Sequence, residues 1–288
     1  MPKDIVVKSN RLITAIQNLS LTEARLVQLA IVGARETGKG LSVDTPLRVD
    51  AMRYAHEFGV ERHTAYEALL ESEKNLFNRQ FTFISERGNP VKSSWIQQVE
   101  YMKNEGCIEI VFTLAVVNEI THIDGYEQFF TQYALEQTSN LKSAYALRLY
   151  ELLIQWRSAG KTPVIELGQF RAQLGLGVNE YKQMSDFKIR VLDLAVAQIN
   201  AHTDIKVEYE QHKTGRSITG FSFKFKQKTK PIEQEKPKSD KGSNPFKGVT
   251  DMAEFLKKHR IGVESSDETH KRLLKEAAEG TFSLSPTD

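Results

Sequence analysis

Few residues in this chain could do chemistry, and the first to test are two Gly-Lys turns. The stretch "GARETGKGLS", Gly33 to Ser42, nearly meets the phosphate-cradling pattern of Gly, four residues, Gly, Lys and then Ser or Thr. Gly33, Gly38 and Lys39 fit, but Gly40 stands where a magnesium-holding hydroxyl belongs. A second stretch, "SAGKTPV", offers Gly160, Lys161 and Thr162, with Gln155 in place of the leading glycine. A nucleotide site needs such a turn to follow a strand and open a helix, so that helix N–H groups face the phosphates. Both turns have the reverse order. An apolar-periodic helix precedes each, and a short strand follows, "TPLRV" in one case and "TPVIEL" in the other. These glycines are therefore expected to supply the left-handed turn that ends a helix.

Other catalytic arrangements fail on spacing. Histidines at 56, 63, 122, 202, 212, 259 and 270 form no His-x-His pair of the nicking type and no His-Glu-x-x-His. The single Cys107 allows neither zinc-finger spacing nor an internal disulfide, and "CIEIVFT" reads as a strand that buries it. The carboxylates are spaced like solvated helix faces. No catalytic, metal or cofactor-binding residue is expected, and no cofactor.

A nucleic-acid signal is present, but it is local. The formal net charge is only +2 over 288 residues, so global basicity does not announce a partner. From Thr203 to Lys230, however, seven basic residues stand against three acidic ones, a balance of 7 − 3 = +4. In "GFSFKFKQK" Phe221, Phe223 and Phe225 alternate with Ser222, Lys224 and Lys226, as a strand with an aromatic inner face and a basic outer face would. The turn "HKTGRS" puts Lys213 and Arg216 at a hairpin tip, where each could hold a phosphate. The plainer reading of such a strand is an edge protected by lysines.

The elements that must position these residues occur twice. A capping box, Ser20 with Glu23, opens a helix running to about Glu36 with Leu26, Leu29, Ala30 and Gly33 on one face and Val27 and Ile31 beside them. Tyr145, Leu149, Leu152, Leu153 and Trp156 mark its counterpart. Each is followed by a short strand, a short helix ("DAMRYAHEFG", "LGQFRAQLG") and a longer helix ("ERHTAYEALLESEKNLFN", "NEYKQMSDFKIRVLDLAVAQINAHT"). Hairpin strands come last: "RQFTFIS" with "SSWIQQVEYM" and "CIEIVFT", then "IKVEYE" with "SITGFSFKFK". Gly59 and Gly175 set the offset, 175 − 59 = 116. Helix, strand, two helices and a hairpin make a winged helix-turn-helix, whose second helix can enter a major groove. The expected fold is thus α+β, two tandem winged helix-turn-helix domains.

The candidate reader in the second half spans about Tyr181 to Asn200, with Met184, Phe187, Val191, Leu192, Ala195 and Ile199 on its inner side. Lys182, Gln183, Ser185, Asp186 and Arg190 are expected at base edges and Lys188 on phosphate, since Arg forks onto guanine and Asp accepts from cytosine. In the first half Arg62, His63 and Thr64, beside Tyr66 and Glu67, hold the equivalent place. Lys92, with Arg79, Arg87, Ser93 and Ser94, could support backbone contacts, while Trp95 is expected in the core. After about Gln227 the chain turns rich in Lys, Pro, Ser and Gly and reads as a flexible tail, with "DMAEFLKKHRIG" and "DETHKRLLKEAAEG" as short amphipathic helices. No signal peptide and no apolar run of about 18 residues appear, so a cytoplasmic protein without a membrane partner is expected.

Four segments, taken in order, resemble the plasmid replication initiators that bind iterons, the short direct repeats of a plasmid origin. They are "KSNRLITAIQNLSLTEARLVQLAI", "SSWIQQVEYMKNEGCIEIVFT", "FFTQYALEQTSNLKSAYALRLYELLIQW" and "YKQMSDFKIRVLDLAVAQIN", covering about residues 5–227. The resemblance implies two winged-helix domains from a duplication, binding one iteron per monomer in successive grooves. It implies dimers, joined through the first domain, that repress their own promoter at an inverted repeat. It also implies monomers that open AT-rich DNA and recruit the host initiator and helicase, without ATPase or nicking activity. The main base-contacting element maps to residues 181–193, where Asp186 and Asp193 reduce the basic content. The expected division is 1–124 for dimerisation and secondary DNA contact, 125–228 for iteron recognition, and 229–288 for linker and tail. The alternative is a winged-helix transcriptional repressor with no role in initiation.

Overall fold

A capping box starts the first long helix, as its sequence requires. The Glu23 N–H donates to Ser20 Oγ at 3.2 Å, and the Ser20 N–H donates to the Glu23 carboxylate at 2.7 Å. Before it lie β1 (Ile5–Ser9), α1 (Asn10–Thr14) and β2 (Ile16–Gln17), and the helix itself is α2 (Leu21–Thr37). The computed structural model describes residues 4–228 apart from 86, 103, 104 and 122–129. In the tail it describes 252–259 and scattered positions between 265 and 276.

The first winged unit continues with β3 (Leu47–Asp50), α3 (Ala51–Phe58) and α4 (Arg62–Leu76). Next come β4 (Gln80–Ile84), β5 (Pro90–Ser94), β6 (Ile96–Met102) and β7 (Cys107–Phe112). The pairing here differs from the expected hairpin. "SSWIQQVEYM" is split at Trp95: Ser93 and Ser94 pair with β4, while Ile96–Met102 pairs with β7. The wing is therefore β6–β7 alone, and β4–β5 is an inserted hairpin that pairs with β2. The break falls where the Trp95 ring leaves the surface and packs on Phe81, centroids 4.7 Å apart, with Trp95 fully buried as expected.

Beyond the first wing come α5 (Leu114–Ile120), β8 (Phe130–Ala134), α6 (Glu136–Ser139) and α7 (Ala144–Ile154), the last opening the second copy of the repeated order. It continues with β9 (Ile165–Glu166), α8 (Leu167–Gln173), α9 (Met184–Phe187), a π-helical segment Lys188–Asp193, and α10 (Leu194–His202). The wing strands β10 (Ile205–Thr214) and β11 (Ser217–Gln227) close it.

Topology bears out the duplication. The sheets have the orders β3-β7-β6 and β9-β11-β10, so the last strand of each unit is central. In each, a carboxylate caps the helix after the short strand: Asp50 accepts from the Met52 N–H and Glu166 from the Gln169 N–H. In each, a glycine carbonyl beyond the first helix accepts from the wing, Gly40 from the Phe112 N–H at 3.0 Å and Gly160 from the Phe225 N–H at 2.8 Å. That resolves the Gly-Lys turns. Gly38 has φ 70 and caps α2, Gly40 has φ 77 and Gly160 φ 65. These are left-handed turns that dock a wing strand, set before β3 and β9 rather than before a helix.

The two halves share one interior. Strand β1 pairs antiparallel with β8 along Ile5↔Ala134 to Ser9↔Phe130. Helix α2 touches α4, β1, β3 and α7, and every residue from Glu23 to Ala34 is buried. The face read from the sequence, with Val27 and Ile31 beside it, is narrower than the burial observed, because the helix is covered all round from Glu23 to Ala34.

At the junction lies a buried polar network that sequence spacing does not reveal. The Glu151 carboxylate accepts from Lys8 Nζ (2.6 Å), Tyr133 Oη (2.6 Å), Arg148 Nη1 (2.7 Å) and Gln28 Nε2 (3.3 Å). Arg148 also donates to the carbonyls of Ile13, Ala15 and Gln173. Burial works to raise the Glu151 carboxyl, but Lys8 and Arg148 outweigh it and hold it at about 2. Burial in turn pulls the Lys8 ammonium below its ordinary value, with Glu151 opposing. Arg25 adds a second tie, donating to the carbonyls of Ser139 and Leu141 at 2.9 Å each.

The chain divides into the unit Met1–Lys228 and a tail unit, Thr229–Asp288. In the tail, α11 (Met252–Lys258) lies within "DMAEFLKKHRIG". Residues 229–251, which hold nearly all of the expected linker, lie outside the described residues. Among the described residues no helix is long and apolar enough to cross a membrane.

Candidate nucleic-acid interface

An aromatic cluster sets the second winged unit. Phe170 of α8 packs on Phe187, Phe221 and Phe223 with ring centroids 6.1, 5.8 and 5.5 Å apart. Phe221, Phe223 and Phe225 are buried and Lys224 and Lys226 exposed, as alternation along β11 requires. Phe187, Val191, Leu192, Ala195 and Ile199 turn inward as expected, leaving one face of the long helix to solvent.

The helix begins later than its periodicity suggests. It starts at Met184 rather than near Tyr181, so Lys182 and Gln183 precede it, with Gln183 at the N-cap position. Tyr181 has φ 41, a left-handed conformation that no helix interior accepts. Arg171 of α8 donates to the carbonyls of Glu180 and Tyr181 and lies over the Phe187 ring at 5.0 Å, which fastens this approach to the helix. No local sequence signal marks Arg171 for that role.

On the exposed face Arg190 and Asp186 pair across one turn at 3.7 Å, and Ser185 stands beside them. Lys188 leans toward the wing, its Nζ 3.4 Å from Gln211 Oε1 and 5.8 Å from the centre of the Tyr209 ring. Tyr209 Oη donates to Asp193 Oδ1 at 2.7 Å, and burial together with this bond raises its phenol to about 12. Tyr209 occupies an inward position in the alternation of "IKVEYE", which is the signal that could have found it.

The wing tip holds Lys213 and Arg216, both exposed, around Gly215. Farther along the same hairpin, Lys224 faces Glu208 and pairs with Glu210 at 3.7 Å, so acidic neighbours partly offset it. Lys206 faces Lys226 near the hairpin base.

The first unit presents a different surface. Arg62 stacks over Tyr66 at 5.6 Å, His63 stands 3.6 Å from Glu67, and Thr64 is exposed. Its wing carries Glu100 opposite Glu109, with Arg48 opposite Glu109 on the next strand. Lys92 is exposed on β5, away from that wing, and Arg79 is taken up by the buried Glu23 at 3.0 Å. The structure therefore brings Ser185, Asp186 and Arg190 together on one helix face, with Lys182 and Gln183 on its approach. It places Arg62, His63, Thr64 and Lys92 in the other half. Among the described residues no group of three or more His, Cys, Asp or Glu could hold a metal ion.

Fold and surface together define a protein of two tandem winged-helix modules, the second carrying the more basic hairpin tip. Residues 5–154 match the family described as "Initiator Replication protein, WH1" and residues 166–225 that described as "Initiator Rep protein, WH2". The chain belongs to this family of replication initiator proteins. It is 22% identical over 238 residues to a "Replication initiation protein" of Escherichia coli, covering 77% of this chain and 70% of that one. It is 27% identical over 241 residues to an "Uncharacterized 27.6 kDa protein" of Escherichia coli, covering 80% of this chain and 98% of that one. Among solved structures, the Pi initiator protein in complex with iteron DNA superposes with a TM-score of 0.60 at 21% identity, covering 78% of this chain and 98% of that one.

Proposed function

We propose that this chain initiates plasmid replication by recognising direct repeats in double-stranded DNA, without catalysing a reaction. One observation carries the reading: an uncovered polar helix face, with Ser185, Asp186 and Arg190, belongs to the same winged unit as a basic hairpin tip, Lys213 and Arg216. A winged helix-turn-helix lays such a helix in the major groove and its hairpin on the flanking backbone. The similar Pi initiator protein was solved in complex with iteron DNA, which supports DNA repeats as the ligand.

In this reading Arg190 and Asp186 meet base edges, and Ser185, Lys182 and Gln183 meet the groove near the start of the helix. Lys188, Lys213 and Arg216 hold phosphates, and Lys224 contributes least because Glu208 and Glu210 partly offset it. The module within 1–124 makes the weaker contact through Arg62, His63, Thr64 and Lys92, since Glu100 and Glu109 repel phosphate at its wing. That half also carries self-association, so that dimers repress the gene's own promoter. Monomers on the repeats open the origin and recruit the host initiator and helicase in the cytoplasm.

Footprinting the purified protein on the DNA flanking its gene, across a salt series, tests this. Protection of regularly spaced direct repeats that fades steeply with salt is the expected result. Protection confined to one inverted repeat would favour a plain repressor, and no specific protection at any salt would refute both.

A further inference from the structure

The same helix face carries an apolar side chain in its centre. Ile189 is 67% exposed and lies on the π-helical segment, four residues after Ser185 and next to Arg190. Its neighbours are drawn off it. Lys188 leans toward Gln211 and the Tyr209 ring, Asp193 holds the Tyr209 hydroxyl, and Arg190 turns to Asp186. π-Helical turns inside α-helices are rare and recur at functional sites. A β-branched side chain is stiff, so it offers a fixed apolar surface rather than a mobile one.

Resting on the reading that this helix enters a major groove, we infer that Ile189 is a specificity-determining residue that reads the 5-methyl group of a thymine. In the major groove that methyl is the apolar group among otherwise polar base edges, and apolar side chains recognise it by contact. Arg190 and Asp186, paired with each other beside it, then read hydrogen-bonding edges of neighbouring bases, so the helix distinguishes bases by shape as well as by donor and acceptor.

The experiment begins with full-length protein and a pool of random-sequence duplexes, from which the preferred site is selected. Each thymine of that site is then replaced by uracil, which keeps every hydrogen-bonding atom and removes only the methyl. For the wild type, one uracil position is expected to weaken binding about fourfold, the scale of one buried methyl group. Ile189→Ala should bind the thymine duplex about fourfold more weakly and show no further loss with uracil at that position. Ile189→Val should keep the uracil penalty. Because Ile189 is exposed, both variants should melt with the wild type and bind an unrelated duplex equally.

If the wild type selects a site but no uracil matters, or if the penalty survives in Ile189→Ala, the inference is overturned while sequence recognition stands. If the pool yields no preferred sequence, the proposed function fails and takes this assignment with it.

Discussion

Replacing Glu151 by Gln tests whether the buried network stabilises the fold by tying β1, α2, β8 and α7 together. The change keeps the size of the side chain and removes one charge. It leaves Lys8 and Arg148, both almost fully buried, facing a neutral amide. Removing one partner of a buried ion pair costs about 3–5 kcal/mol. The carboxyl supplies an independent figure. Held at about 2 against an ordinary 4.5, it contributes about 3 kcal/mol at neutral pH. The sign follows from the depressed carboxyl: its contribution is full above 4.5 and is lost as pH falls toward 2. Urea denaturation at pH 7 should therefore show Glu151→Gln less stable by about 3–5 kcal/mol, with a melting point lower by about 10 °C. The gap should narrow as pH falls from 4.5 toward 2. Lys8→Met should cost less, because Arg148 still neutralises Glu151, and the double variant should cost less than the sum of the two. A Glu151→Gln protein within about 1 kcal/mol of wild type at pH 7, or a gap that stays constant into acid, would refute this account of the network.

Other expectations follow from the same geometry. Arg190→Ala should weaken the preferred DNA site by about 1–3 kcal/mol and leave unrelated DNA almost untouched, as read by competition binding. Lys213→Ala and Arg216→Ala should each weaken all sequences alike and lower the slope of log affinity against log salt by about 1. Gly175→Ala should destabilise the fold by about 1–3 kcal/mol, since Gly175 has φ 85 and a methyl there would meet the Gln17 carbonyl oxygen at 2.6 Å. Gly215→Ala, with φ 61 and nothing within 4 Å, should cost less, and denaturant midpoints compare the two. Lys39→Ala and Lys161→Ala should leave DNA binding and replication of a plasmid carrying the gene nearly unchanged, whereas complete loss would restore the nucleotide-site reading of those turns.

Much of the fold is local physics and therefore legible. Ser20 with Glu23 specifies a helix start through bonds three residues apart, and Gly38 its end through a backbone angle other residues avoid. Alternation of Phe221, Phe223 and Phe225 with Lys224 and Lys226 assigns the faces of a strand without knowledge of its partners. The doubled order of elements follows from such local signals alone. So does the failure of the Gly-Lys turns as phosphate cradles, because the order of helix and strand around them is written in the chain.

What the sequence by itself determined is thus the doubled order of long helix, short strand, two helices and wing strands, the inward face of the reader helix and the basic hairpin tip, but not β1, α1, α5, β8 or α6. Tertiary structure alone decided which strands meet, where that helix begins, and which charges are spent inside. "SSWIQQVEYM" has one continuous strand-like pattern, and only the burial of Trp95 against Phe81 divides it between two sheets. Lys182 and Gln183 fit a helical period, but Arg171 binds the carbonyls before them and Tyr181 takes a left-handed turn. Lys8, Arg148 and Glu151 look like surface charges because the carboxylate that neutralises Lys8 lies 143 residues away. Period and capping act over a few residues and can be read along the chain. Ion pairing and close packing act through space, and come into being only when the two halves close on one another.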